Sequence, residues 1–114
     1  MEYDLEDRTK KFSKGLIVFL KIVRIDNINQ PLISQLVGSS TSVGANYCEA
    51  NAASSKKDFT NKIFICRKEV QETKYWIELL AEANSEFKEP LRKFWKEVHE
   101  LTLIFNKIST SLRN

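Results

Sequence analysis

One histidine, His99, and two cysteines, Cys48 and Cys66, are the side chains best suited to metal binding or nucleophilic catalysis in this sequence. A di-metal site in a helical bundle draws a Glu-x-x-His pair from each of two helices. Here Lys96 stands three residues before His99, and the sequence has no second histidine. Zinc needs three or four converging ligands, so His99, beside the apolar Val98, reads as a rim or packing residue. Ser39, Ser40 and Ser42 have no base nearby, and a hydrolytic triad would have to recruit His99 from a distant helix. Gly15, Gly38 and Gly44 fall within helical patterns, so none belongs to a phosphate-cradling loop. Glu69, Glu72, Glu78 and Glu82 are interspersed with Lys68 and Lys74, the pattern of a solvated face with i,i+4 partners. The sequence therefore predicts no catalytic residues, no metal, no cofactor and no small-molecule substrate.

What remains is binding, and binding surfaces depend on the elements that carry them. At 114 residues, with 42% hydrophobic and 29% charged residues and only three glycines and two prolines, the chain has the balance of one helical domain spanning 1–114. Four helices are predicted, over about 4–25, 30–52, 55–84 and 87–112. Leu5, Phe12, Leu16, Phe19, Leu20 and Val23 share one face of the first. Leu32, Leu36, Val43 and Tyr47 point inward from the second. Phe59, Ile63, Cys66, Val70, Thr73, Ile77 and Leu80 alternate steps of four and three in the third. The fourth repeats the pattern with Leu91, Phe94, Val98, Leu101, Phe105, Ile108 and Leu112. Short connections force antiparallel neighbours, giving an all-α, up-down-up-down four-helix bundle. Small residues from Gly38 to Ala53, Gly44 among them, predict the tightest crossing at helix two. Both cysteines are expected to be reduced thiols in apolar packing, their levels differing by roughly 10 Å at about 1.5 Å per residue.

Two outer faces stand out. Phe64, Ile65, Tyr75 and Leu79 lie roughly opposite the seam of helix three, with Trp76 between the faces, and such a stripe predicts a subunit contact. On helix one, Lys10, Lys14, Lys21 and Arg24 fall within a sector of about 80° on a 100° wheel, away from Phe12 and Phe19. This strip suits phosphate binding, although Glu6 shares its side and lysines on outer faces are routine. The net charge of +3 permits a polyanionic partner without demanding one. The acidic start Met1, Glu2, Tyr3, Asp4 is unlike a secretory signal, and the run Leu16 to Leu20 is far short of the ~20 apolar residues of a membrane span. A cytoplasmic location with no membrane partner is expected.

The segment TSVGANYCEANAASSKKDF from Thr41 to Phe59, followed by KEVQETKYWIELL from Lys68 to Leu80, resembles the four-helix-bundle family named after 23S rRNA intervening sequences. The S-x-G-A-N-x-x-E-A pattern at Ser42, Gly44, Ala45, Asn46, Glu49 and Ala50 carries the likeness, together with S-K-K-D-F and E-T-K-Y-W-I-E-L-L. Helices one and four match in pattern alone. The resemblance implies a bundle protomer that assembles as a homopentameric ring. One branch of the family, the accessory variability protein of diversity-generating retroelements, implies a basic pentamer that associates with a reverse transcriptase and with RNA or DNA. The chain departs from the family pattern at Gly38, where many relatives carry a basic residue. Asn46 and Glu49, one turn apart beside small residues, are expected to be buried structural groups bonded to a neighbouring helix. The expectation is a non-enzymatic homo-oligomeric scaffold for nucleic acid or a nucleic-acid enzyme; the rival is a protein-binding adaptor with no nucleic-acid role.

Overall fold

The computed structural model describes residues 4–113. They form α1 (Leu5–Leu20), α2 (Asn29–Asn51), α3 (Lys56–Ala83) and α4 (Lys88–Leu112), with a 3-10 turn at Ser85–Phe87 before the last. Local chemistry sets the starts. Asp4 adopts a left-handed backbone, φ 47°, and its carboxylate accepts from the Asp7 amide. Ser55 Oγ accepts from the Asp58 amide at 3.0 Å, satisfying a first-turn donor of α3. Pro31 and Pro90 sit in the first turns of α2 and α4, where a missing N–H leaves no bond unmade.

The four helices pack into an elongated bundle of 44 × 22 × 21 Å with the predicted seams inside. Leu16, Leu36, Ile63, Leu80, Leu91 and Phe105 are fully enclosed, and the heptad positions of α3 and α4 meet as expected. Gly44 faces Thr9 at the α1–α2 crossing: a Cβ there would stand 3.0 Å from Thr9 Oγ1 and 3.3 Å from Thr9 Cβ, so a larger residue would force Thr9 to give way. The α1–α4 contact is made instead by long side chains. Phe12 and Phe19 meet Phe94 with ring centroids 5.9 and 5.6 Å apart, and Arg8 reaches Glu97 and Glu100 at 2.7 Å each.

The first helix ends at Leu20 and not at Ile25. Ile22, Val23 and Ile25 are β-branched and weak helix formers. Side chains nearby also offer the backbone non-helical partners: Asp26 Oδ1 accepts from the amides of Ile28 and Asn29 at 3.0 and 2.7 Å, and Asn29 Nδ2 donates to the Arg24 carbonyl at 2.8 Å. The resulting turn folds Val23 over the end of the core, leaving it 3% exposed. Beneath it, the buried amides of Asn29 and Asn84 exchange hydrogen bonds of 2.9 and 2.8 Å, tying the α1–α2 connection to the end of α3. Cys66 is buried and desolvation pushes its thiol up to about 12. Cys48, in contrast to expectation, is exposed, because its turn of α2 faces Glu6 across a shallow groove and not the core.

Candidate functional site

Lys10 and Lys14 on α1 and Lys21 just past its end are all exposed. Arg24 does not join them in the predicted strip. It lies beyond the end of the helix, and its Nε bonds Asp26 at 3.3 Å. Apolar side chains that sequence reasoning passed over interleave with the strip. Ile17 and Val18 are exposed beside Lys14 and Lys21, and Ile22, Ile25 and Ile28 follow on the turn at 64, 64 and 63% exposure. The signal for them was present in the run from Ile22 to Ile28, but it could be read only by ending α1 early.

On α3, Tyr75 and Leu79 are exposed at the outer face as expected. Phe64 and Ile65 are half-buried, and the Arg113 guanidinium covers the Phe64 ring at 5.7 Å. Trp76 belongs to the core side more than to the outer face: it packs against the buried cluster, edge-on to Tyr75 at 4.9 Å. Its shielded Nε1 meets no acceptor among the described residues. The five side chains therefore do not form one continuous stripe.

Of the signature residues, Asn46 lacks the expected bond to a neighbouring helix, whereas Glu49 makes one from an exposed and not a buried position. Asn46 Nδ2 donates to the carbonyl and the hydroxyl of Ser42, both at 2.9 Å, within its own helix and not across to a neighbour. Glu49 is exposed and pairs with Lys62 of α3 at 2.7 Å; this hydrogen bond holds the Lys62 ammonium above its ordinary range. Besides the Asn29–Asn84 pair, hydroxyls bond between helices: Thr73 Oγ1 donates to Ser39 Oγ at 3.0 Å in the interior, and the half-buried Ser13 Oγ to the Ser40 carbonyl at 3.3 Å. Arg8 is raised above its usual value, chiefly by its bond to Glu97, and so is committed to structure. Glu69 is raised by desolvation and by Glu72.

The seam between α3 and α4 carries a feature the sequence reading did not assemble. Trp95 and His99, one turn apart, stack with planes at 4° and centroids 5.1 Å apart. Lys74 stands 4.8 Å from the indole centroid and 3.0 Å from His99 Nδ1, and Trp95 Nε1 donates to Glu78 Oε2 at 2.8 Å. A groove of about 310 Å³ opens beside Trp95, floored by Ile77, Ala81 and Leu91 and rimmed by Lys88, Arg92 and Lys96. A signal for the rim was available in the i,i+4,i+8 spacing of these cations. Among the described residues, no three His, Cys, Asp or Glu side chains converge as metal ligands, and no helix is long and apolar enough to cross a membrane.

The family model described as 23S rRNA-intervening sequence protein matches residues 8–107. A crystal structure of a protein of unknown function from the S23 ribosomal protein family of Bacteroides thetaiotaomicron superposes with a TM-score of 0.78 at 30% identity. The alignment covers 91% of this chain and 96% of that one. No curated protein matches the chain.

Proposed function

From the chain's membership of the 23S rRNA-intervening sequence protein family, to which it belongs, we propose that it is a non-enzymatic homo-oligomeric scaffold. Its protomers assemble as a pentamer in the cytoplasm, and the assembly holds a polynucleotide or an enzyme that works on one, such as a reverse transcriptase. The observation that carries this reading is the outer side of α1 with its following turn. Single exposed aliphatic residues are ordinary, but Ile17, Val18, Ile22, Ile25 and Ile28 all stand in water along one side and end of a small protein. Lys10, Lys14 and Lys21 run beside them. Aliphatic groups beside exposed lysines suit a surface that packs against protein and presents charge to phosphate. Assembly would repeat the strip and turn a modest charge per chain into a strong local field.

Light scattering on the eluting protein tests assembly. The expected result is an oligomer that the triple substitution Ile22→Ser, Ile25→Ser, Ile28→Ser reduces to a monomer with unchanged helicity. A wild-type monomer at tens of micromolar would reject the scaffold. Salt-dependent binding of RNA or DNA, weakened by Lys10→Glu, Lys14→Glu and Lys21→Glu, tests the partner; assembly without any such binding would select the protein-binding adaptor.

A further inference from the structure

We propose that the groove between α3 and α4 is a site for single-stranded nucleic acid, with Trp95 as the platform on which a base stacks and Lys88, Arg92 and Lys96 as the phosphate contacts. The assignment rests on the polynucleotide reading above for its class of ligand, but it concerns a different surface from the α1 strip.

Three observations converge on it. The first is the preorganised indole. Glu78 holds Trp95 Nε1, His99 stacks parallel to the ring, and the Lys74 ammonium stands 4.8 Å from its centroid. His99 and Lys74 occupy the side of the later turns of α4. The groove lies on the other side, towards Leu91 and Lys88, where α3 runs antiparallel and contributes Ile77 and Ala81. The half-buried ring is thus held by His99, Lys74 and Glu78 and lines the groove, and stacking on it would lose little conformational freedom.

The second is the row of cations. Lys88, Arg92 and Lys96 are exposed, all line the groove, and none pairs with a described carboxylate. At about 1.5 Å per residue the row is about 12 Å long. One strand of a duplex carries a phosphate per ~3.4 Å of helix axis. Successive phosphates lie further apart than this axial rise because the backbone winds around the axis, but the row is still long enough to meet more than one of them. It is longer than a lone mononucleotide needs once its base has reached Trp95.

The third is the floor. Ile77, Ala81 and Leu91 are apolar, and about 310 Å³ is enough for one flat ring but too little for a folded domain. Glu78 is the acid of this lining, and its carboxylate is engaged by the indole N–H. An apolar slot beside an aromatic face, edged by a line of cations, takes an unstacked base with its flanking phosphates; paired bases cannot reach the ring.

The experiment is fluorescence anisotropy with an end-labelled mixed-sequence 15-mer, as a single strand and as a duplex, at two salt concentrations. Four proteins are compared: wild type, Trp95→Leu, Arg92→Glu with Lys96→Glu, and Lys10→Glu with Lys14→Glu. Circular dichroism confirms that each is folded. Loss of one stacked base should weaken single-strand binding of Trp95→Leu by about 5-fold or more. The same substitution should leave duplex binding unchanged. The α4 charge reversal, which alters only exposed side chains, should weaken the single strand and flatten its salt dependence. Wild-type affinity in both α4 variants, with binding lost in the α1 variant, would overturn this site and spare the polynucleotide reading. Absence of salt-sensitive binding by the wild type would sink both. A duplex bound as tightly as the strand, or polyglutamate displacing the strand as well as unlabelled 15-mer does, would also overturn the stacking site.

Discussion

Gly44→Ala and Gly38→Ala are the same chemical change in the same helix, and they should act with opposite sign. Alanine is favoured over glycine in a helix interior by about 0.8–1.0 kcal/mol. At Gly38 no heavy atom lies within 4 Å of the new Cβ, so the whole gain is realised. At Gly44 the Cβ would meet Thr9 Oγ1 at 3.0 Å and Thr9 Cβ at 3.3 Å. Thr9 cannot easily move: it is 1% exposed, and its hydroxyl donates to the Leu5 carbonyl at 2.6 Å. Either α1 shifts or the hydroxyl abandons its bond, and overpacking of this kind costs about 1–3 kcal/mol. The expected net loss is about 1 kcal/mol, against a gain of nearly 1 kcal/mol at Gly38. For a domain of this size each kcal/mol is worth roughly 4 °C in Tm. The two variants should therefore straddle the wild type by about 8 °C in thermal unfolding at one fixed protein concentration. Thr9→Ala in the Gly44→Ala background should recover part of the loss, giving a favourable coupling in the double-mutant cycle. If Gly44→Ala proves as stable as Gly38→Ala, the close α1–α2 approach is not what this glycine serves.

Asn84→Ala should cost about 2–3 kcal/mol in urea unfolding, because it strands the buried Oδ1 of Asn29 as well as removing hydrogen bonds. The double variant with Asn29→Ala should lose less than the sum of the singles, and strict additivity would deny that the two amides act as a pair. Asp26 is held below its ordinary value, first by the Asn29 amide and then by that of Ile28, with Arg24 adding to both. Its contribution is thus complete above the unfolded carboxyl value of about 3.9 and disappears as pH falls through the lowered folded value. Asp26→Asn should flatten the acid limb of the stability profile below about pH 4, and an unaltered limb would show that other carboxylates set it. A thiol reagent near neutral pH should modify Cys48 more slowly than free cysteine, since partial desolvation by its neighbours and then Glu6 raise its thiol, and should reach Cys66 only on unfolding. Native labelling of Cys66 would mean that the α2–α3 interface opens readily.

What was legible in the sequence was whatever repeats. The α3 and α4 seams run for many turns at one period, so a local error could not shift Ile63, Val70, Ile77, Leu91, Val98 or Phe105 out of the core. The small residues of α2 forecast a close crossing because few other requirements favour Gly44 within a helix. Features held by single, non-periodic contacts escaped. The end of α1 depends on Asp26 and Asn29 capturing backbone groups, and Asn29 in turn depends on Asn84, which lies 55 positions away in the chain. Helical phase alone carried Arg24 onto a strip that it does not join, and left Ile22, Ile25 and Ile28 unnoticed. Asn46 escaped for a related reason, while Glu49 does bond a neighbouring helix but from the surface. Spacing places two residues on one face, but whether a side chain folds back on its own helix, as Asn46 does onto Ser42, or reaches across, as Glu49 does to Lys62, depends on the distance to the neighbour. The same limit applies to the α3–α4 groove. Each of its helices looked like an ordinary charged surface, and only antiparallel packing at one register brings Lys74 and Glu78 to Trp95 and His99. A binding surface on a bundle is a property of pairs of helices, so candidate sites in such sequences are better sought at the seams than along single helical wheels.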